Sequence, residues 1–179
     1  MARHRTRRAF TATELLVCMG ILAVLVGVTM PIYTRVTQGA RAAACVSNLR
    51  QLGAGLGLYL GEHNMMMPTL LAGRRALSEP GPVIDDTLST YVGNAKVFAC
   101  PADSGGLAAR TGTSYYWNVV INGQPLAGLN MLGFIKDISR IPILSDKGSF
   151  HPYEPNKVNL LYADGHAERE FTFKVDHAD

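Results

Sequence analysis

Asp146, His151, Asp164 and His166 fall in the C-terminal part of this chain, and Asp103 lies upstream of them. Carboxylates and imidazoles that converge in space can hold a transition metal or trade a proton with a substrate. Each of these residues also has an ordinary use. Asp164 precedes Gly165 in a turn signal, His166 reads as surface, and Asp146 reads as a loop cap. Their spacing matches no EF-hand loop, and no serine elbow, phosphate loop or metalloprotease helix signature is present. No catalytic residue is assigned and no enzymatic activity is expected.

A different chemistry sits at the other end. A basic tip, Arg3-His4-Arg5-Thr6-Arg7-Arg8, runs into Ala9-Phe10-Thr11-Ala12-Thr13-Glu14, and residues 15–33 follow without a charge. Glu14 therefore stands at the mouth of a segment fit to span a bilayer. An acid deep in such a span costs about 2.5–3.5 kcal/mol, and less near its end. A cation at ~4 Å returns about 4 kcal/mol at an effective dielectric near 20. Cutting the chain between Ala9 and Phe10 creates such a cation, an α-amino group about one helical turn from Glu14. Between neighbouring chains shifted along the helix axis, amine and carboxylate can meet and set the register of one subunit on the next.

Charge supports that division. The 179 residues carry 17 Lys+Arg against 14 Asp+Glu, and loss of residues 1–9 removes four arginines, leaving 13 against 14. The basic character belongs to the tip, so no nucleic-acid partner is expected. The same arginines satisfy the positive-inside rule, placing the N-terminus in the cytoplasm and everything after residue 33 outside. An ordinary signal-peptide site (Ala40-Arg41-Ala42) and a lipoprotein-like site (Ala42-Ala43-Ala44-Cys45) both lie too far beyond the apolar run. A plain uncleaved anchor, with Glu14 reaching to the interface, is the alternative.

The segment Arg8-Ala9-Phe10-Thr11-Ala12-Thr13-Glu14-Leu15-Leu16-Val17 resembles the type IV prepilin leader and processing site. That family has a basic leader, a cut before Phe or Met, Glu at the fifth mature position and an apolar helix. Counted from Phe10, Glu14 is fifth and Pro31 is twenty-second, where family members often carry a proline; Ala9 stands where they usually have Gly. Four further pieces stand in an order similar to that of a bacterial group of pilin-like proteins related to the major pseudopilin of type II secretion. They are Cys45-Val46-Ser47-Asn48-Leu49-Arg50-Gln51-Leu52, Val97-Phe98-Ala99-Cys100-Pro101-Ala102-Asp103, Ser114-Tyr115-Tyr116-Trp117-Asn118 and Ala163-Asp164-Gly165-His166. That group often ends in a histidine, a spacer and Asp-Gly; His151 and Asp164-Gly165 match in kind, with a longer spacer. The resemblance implies a peptidase that cuts before Phe10 and methylates its amine, an inner-membrane assembly platform, and other pilin-like subunits as partners in a filament. It implies a single-pass protein of the inner membrane with a periplasmic head, which later enters a periplasmic or extracellular filament. It requires no cofactor, but it makes calcium possible through the C-terminal region, with Asp146 and Asp164 as oxygen ligands.

The elements that must position these groups follow from patterning. A continuous helix is expected from Phe10 to Leu60, ~76 Å long at 1.5 Å per residue. Leu49, Leu52, Leu56 and Tyr59 share one face of it. Gly53, Gly55, Gly57 and Gly61 weaken helix propensity and read as points of close approach to a packed surface. Gly27 and Pro31 are candidate bends; close helix packing in the bilayer is the alternative for Gly27. Met65-Met66-Met67-Pro68 ends the helix, and its methionines read as core filling rather than soft-metal ligands. A long loop with a short helical turn at residues 86–91 comes next. Residues 141–146 and 158–163 read as strands, and Asp164-Gly165 reads as a type I′ turn into a strand running from His166 to Val175.

The expected fold is α+β and pilin-like: a long N-terminal helix, half transmembrane and half amphipathic, packed on a small antiparallel sheet. Residues 1–9 form the leader, 10–33 the transmembrane or filament-core helix, 34–62 its amphipathic continuation and 63–179 the head. Cys18 lies in the apolar run as a packing residue. Cys45 and Cys100 both fall outside the membrane, where disulfides persist. A Cys45–Cys100 bridge would close ~55 residues, worth roughly 4 kcal/mol; two separate buried thiols are the alternative. Zinc is disfavoured, because neither cysteine belongs to a close Cys or His pair. The function expected is that of a structural filament subunit, a type II secretion pseudopilin, against a membrane-anchored binding domain that does not polymerise.

Overall fold

The computed structural model describes residues 11–152 and 157–169. The expected cleavage site, Ala9 and Phe10, lies outside them, as does the last strand beyond Arg169. Helix α1 spans Ala12–Glu62 and runs through Pro31. The chain divides into two units, one ending at Thr37 and the other beginning at Gln38.

The first unit is apolar helix. Its large side chains between Leu15 and Tyr33 are 55–74 % exposed. The stretch is long and apolar enough to cross a membrane, a property shared by anchors and signal sequences. Its hydroxyls are turned inward: Thr29 Oγ1 donates to the Leu25 carbonyl at 2.8 Å, Thr34 to Pro31 at 2.9 Å and Thr37 to Tyr33 at 2.9 Å. That removes polar groups from a surface with little else to offer them.

The second unit is a head built around the later turns of α1. Ala42, Cys45, Val46, Leu49, Leu52, Leu56 and Leu60 bury one stripe at steps of three and four. Tyr59 packs against this core while partly exposed. Two of the four glycines permit close approach. A Cβ on Gly53 would sit 3.1 Å from a Leu161 methyl, and one on Gly55 would sit 2.7 Å from Val92. Gly57 and Gly61 face open space, so the expected close packing does not extend to them. The helix ends as Asn64 and Met65 turn left-handed, with the Met65 N–H donating to the Leu60 carbonyl at 2.8 Å.

A long loop follows. Short helix α2, Ile84–Thr87, inserts Ile84, and Leu88 follows it into the core; it begins two residues earlier than the pattern suggested. Helix α3, Leu107–Thr111, starts at the Asp103 cap described below.

The sheet has four antiparallel strands in sequential order: β1 Tyr115–Trp117, β2 Pro142–Asp146, β3 Leu160–Tyr162 and β4 Ala167–Glu168. Pro142 opens β2, where a strand best tolerates a missing N–H. Its residues Leu144 to Asp146 pair with β1, and Leu144 and Ser145 pair with β3. Tyr115 and Trp117 point into the core shared with α1, and Tyr116 points out. The β3–β4 connection corrects the type I′ expectation. Only Gly165 has positive φ, +89°, while the Tyr162 N–H donates to the His166 carbonyl across a three-residue loop. This is the type I turn with a left-handed glycine that such loops adopt.

Candidate functional site

Four side chains from four separate segments meet inside the head. Cys45 comes from α1, Cys100 from the segment before α3, Asp146 from the end of β2 and His151 from the loop after it. All four are buried, and one ligand-type atom from each lies within 4.8 Å of every other. Cys45 Sγ donates to Asp146 Oδ1 at 3.3 Å, His151 Nε2 lies 3.2 Å from Asp146 Oδ2, and Cys100 Sγ lies 3.5 Å from His151 Nε2.

Local structure explains why each group is where it is. Cys45 falls on the buried stripe of α1, one turn before Leu49. The Cys100 N–H donates to Ser114 Oγ at 3.0 Å, which ties it to the residue before β1. Asp146 is held from behind by Asn159, whose backbone N–H and side-chain amide donate to Oδ2 at 2.7 and 3.0 Å. The buried Tyr115 hydroxyl approaches Cys45 Sγ at 3.4 Å. His151 Nδ1 is buried and has no partner among the described residues, so the polar contacts of the ring run through Nε2.

The electrostatics are those of a dry, mutually dependent group. Its hydrogen bond with Cys100, then burial, push the Cys45 thiol far above its ordinary range, and the Asp146 charge adds to this. Burial pushes the Tyr115 hydroxyl far up as well. Burial alone would lower His151, but the Asp146 carboxylate and Cys45 outweigh it and raise the imidazole to about 9.

Both cysteines are free thiols, with sulfurs near enough that the pairing expected from topology concerns true neighbours. Asp146 is in the group but Asp164 is not. Asp164 is in the β3–β4 turn, where its Oδ1 accepts the His166 N–H at 3.1 Å and contacts His166 Nδ1 at 2.5 Å. The neighbours of Asp146 are two sulfurs, an imidazole and an amide, which is not the shell of six to eight oxygens that calcium takes. Asp103 is also elsewhere, capping α3. What the sequence does not show is that His151, a candidate ligand by type, lies beside Cys100 at 3.5 Å; spacing along the chain carries no sign of that.

Glu14 has its own structure. Thr11 Oγ1 accepts the Glu14 N–H at 3.3 Å, while Glu14 Oε2 accepts the Thr11 N–H at 2.9 Å and the Thr11 hydroxyl at 2.8 Å. This is a reciprocal capping box at the start of α1. Thr-x-x-Glu ahead of an apolar run is a capping signal that the sequence itself carries.

No family model, curated protein or solved structure matches the chain.

Proposed function

We propose that this chain is a structural subunit of a type IV pilin-like filament, of the pseudopilin kind that serves type II secretion. One observation carries the reading: apolar side chains of residues 15–33 stand exposed all round a helix that continues into a folded head. A surface of that kind calls for lipid or the equivalent helices of other copies. In this reading the helices leave the bilayer and bundle, buried apolar area supplies cohesion, and the heads form the outer surface. The partners are a prepilin peptidase and methyltransferase, an inner-membrane platform and further pilin-like subunits. The work is mechanical, and Glu14 guides docking by meeting the mature amine of a neighbour.

A second reading draws on the capping box. Glu14 already has two donors in its own chain, so a plain anchor can hold it at the membrane interface without any neighbour. Mass spectrometry of the N-terminus from native membranes separates the two. A mature chain beginning with N-methylated Phe10, which fails to assemble when Glu14 becomes Ala, is the result expected of a filament subunit. An intact leader and tolerance of Glu14→Ala would identify the anchor and overturn the filament.

A further inference from the structure

We infer that Cys45, Cys100, Asp146 and His151 form a structural site for a single zinc ion in the head. The inference concerns the second unit alone and does not depend on the filament reading.

The geometry comes first. A tetrahedral ion with ligands at about 2.0–2.3 Å has ligand–ligand edges of about 3.3–3.8 Å. The short contacts of the group are of that size: 3.2 Å from His151 Nε2 to one Asp146 oxygen, Oδ2, 3.3 Å from Cys45 Sγ to the other, Oδ1, and 3.5 Å from Cys100 Sγ to His151 Nε2. The remaining separations stay within 4.8 Å. Four donor atoms this close need only small side-chain shifts to surround one such ion. The donor set points the same way. Two sulfurs, one imidazole nitrogen and one carboxylate oxygen suit a borderline-soft ion and do not suit calcium or magnesium.

Burial distinguishes this group from a chance cluster. The side chains of Asp146 and His151 are 0 % and 1 % exposed, and the two cysteines are buried beside them. Buried ionisable groups are costly unless they are paired or coordinate a metal. A disulfide would use the two sulfurs and leave the carboxylate and imidazole to pair only with each other. A metal uses all four. Asn159 completes the arrangement by holding Asp146 Oδ2 with two N–H donors, the kind of outer support that orients a ligating carboxylate. On binding, the Cys45 and Cys100 thiol protons and the His151 Nε2 proton pass to solvent, both sulfurs coordinate as thiolates, and the imidazole coordinates as the neutral base through Nε2. No oxidation is involved. The ion would tie α1, the segment before α3, the end of β2 and the following loop to one point.

The test uses the full chain in detergent, purified under reducing conditions and stripped of metal. Titration with cobalt alone is expected to give thiolate-to-metal charge-transfer and tetrahedral ligand-field absorption that saturates at one ion per chain. Zinc should displace both signals. Cys100→Ser should lose the charge-transfer band in part, and the double change Cys45→Ser, Cys100→Ser should lose it entirely. Asn159→Ala keeps all four ligands and should weaken cobalt affinity about 10–100-fold. Trp117 fluorescence reports whether each variant has kept its fold. Where a cysteine variant does not fold, the wild-type spectrum and the Asn159→Ala titration decide alone. Cobalt spectra without sulfur charge transfer, or an affinity untouched by Asn159→Ala, would overturn the proposal. So would native chain, isolated without reductant, that contains an intact Cys45–Cys100 disulfide and no zinc.

Discussion

Two stretches of one helix meet opposite fates. Residues 15–33 are apolar all round and stay exposed, whereas residues 42–60 bury only a stripe, against partners the same chain supplies. Each region also manages a carboxylate in its own way. Glu14 finds its donors three residues away, at Thr11. Asp146 finds its neighbours on α1, before α3, after β2 and at Asn159. A uniformly apolar helix must look outside its own chain for company, while a striped one can close a core. Damage to the first region should therefore be read in association, and damage to the second in folding.

The largest effect should come from the stripe. Leu49 is 0 % exposed, and Leu49→Ala should cost about 2–5 kcal/mol of head stability. Leu25→Ala, in the exposed stretch, should leave the head's unfolding midpoint where it was. Urea titration followed by the single tryptophan, Trp117, measures both. Equal shifts for the two variants would erase the contrast between the regions. Asn122 comes next. Its Oδ1 accepts from Trp117 Nε1 at 2.7 Å and from the Leu70 N–H at 3.2 Å, and its amide donates to the Leu70 carbonyl at 2.8 Å. Asn122→Ala orphans these buried groups and should cost about 1–3 kcal/mol. Thr29→Val removes only a hydroxyl turned back on its own helix, and the same titration should not register it.

The helix was the most legible element because its signals are local. An apolar run, a stripe at steps of three and four, and a methionine-proline stop set its extent to within two residues at either end. Strands β2 and β3 were legible for the same reason. Strand β1 was not assigned, although Tyr115-Tyr116-Trp117 alternates in, out, in, because three residues hold too little pattern to stand apart from a loop. The turn at Gly165 was placed but mistyped, since Asp-Gly permits more than one loop length. Of the buried group, the cysteines, Asp146 and His151 were all noticed. Asp146 with His151 and Cys45 with Cys100 were each expected as neighbours; the meeting of the two pairs was not, because it depends on four segments folding around one core and sequence spacing carries no trace of that.

The capping box yields a finer discrimination at the exposed end. Thr11→Val removes the cap and should cost about 0.5–2 kcal/mol of local helix stability, seen as faster amide exchange in the first turn. Glu14→Gln keeps the box, because glutamine serves at that position, and removes only the charge. In the filament reading Glu14→Gln should therefore abolish assembly while first-turn exchange stays slow, and Thr11→Val should do the reverse. If Glu14→Gln assembles normally, the acid is a cap and the charge-pairing role is lost.

The smallest effect still open to measurement belongs to the corresponding cap in the head. Asp103 Oδ1 accepts the Leu107 N–H at 3.0 Å, and Oδ2 accepts the Ala108 N–H at 2.8 Å and the Ser114 hydroxyl at 2.9 Å. Burial raises this carboxyl, but the donors from Ala108, Leu107 and Ser114 outweigh it and hold it below the ordinary range. A depressed folded value means that the stabilisation is complete above the unfolded pKa, near ~3.9, and disappears as pH falls through the folded one. Asp103→Asn should therefore lower the head's stability at neutral pH and flatten its acid limb, the two curves converging at the lowest pH. Solvent screening of this partly exposed group keeps the difference below about 1 kcal/mol. The effect should still reach the buried group, because Ser114 Oγ also accepts the Cys100 N–H. Loss of the Asp103 carboxylate frees that hydroxyl to rotate and loosens one sulfur, whereas the capping box at Thr11 and Glu14 is linked to no such group among the described residues. Cys100 alkylation should therefore quicken in Asp103→Asn and stay unchanged in Thr11→Val.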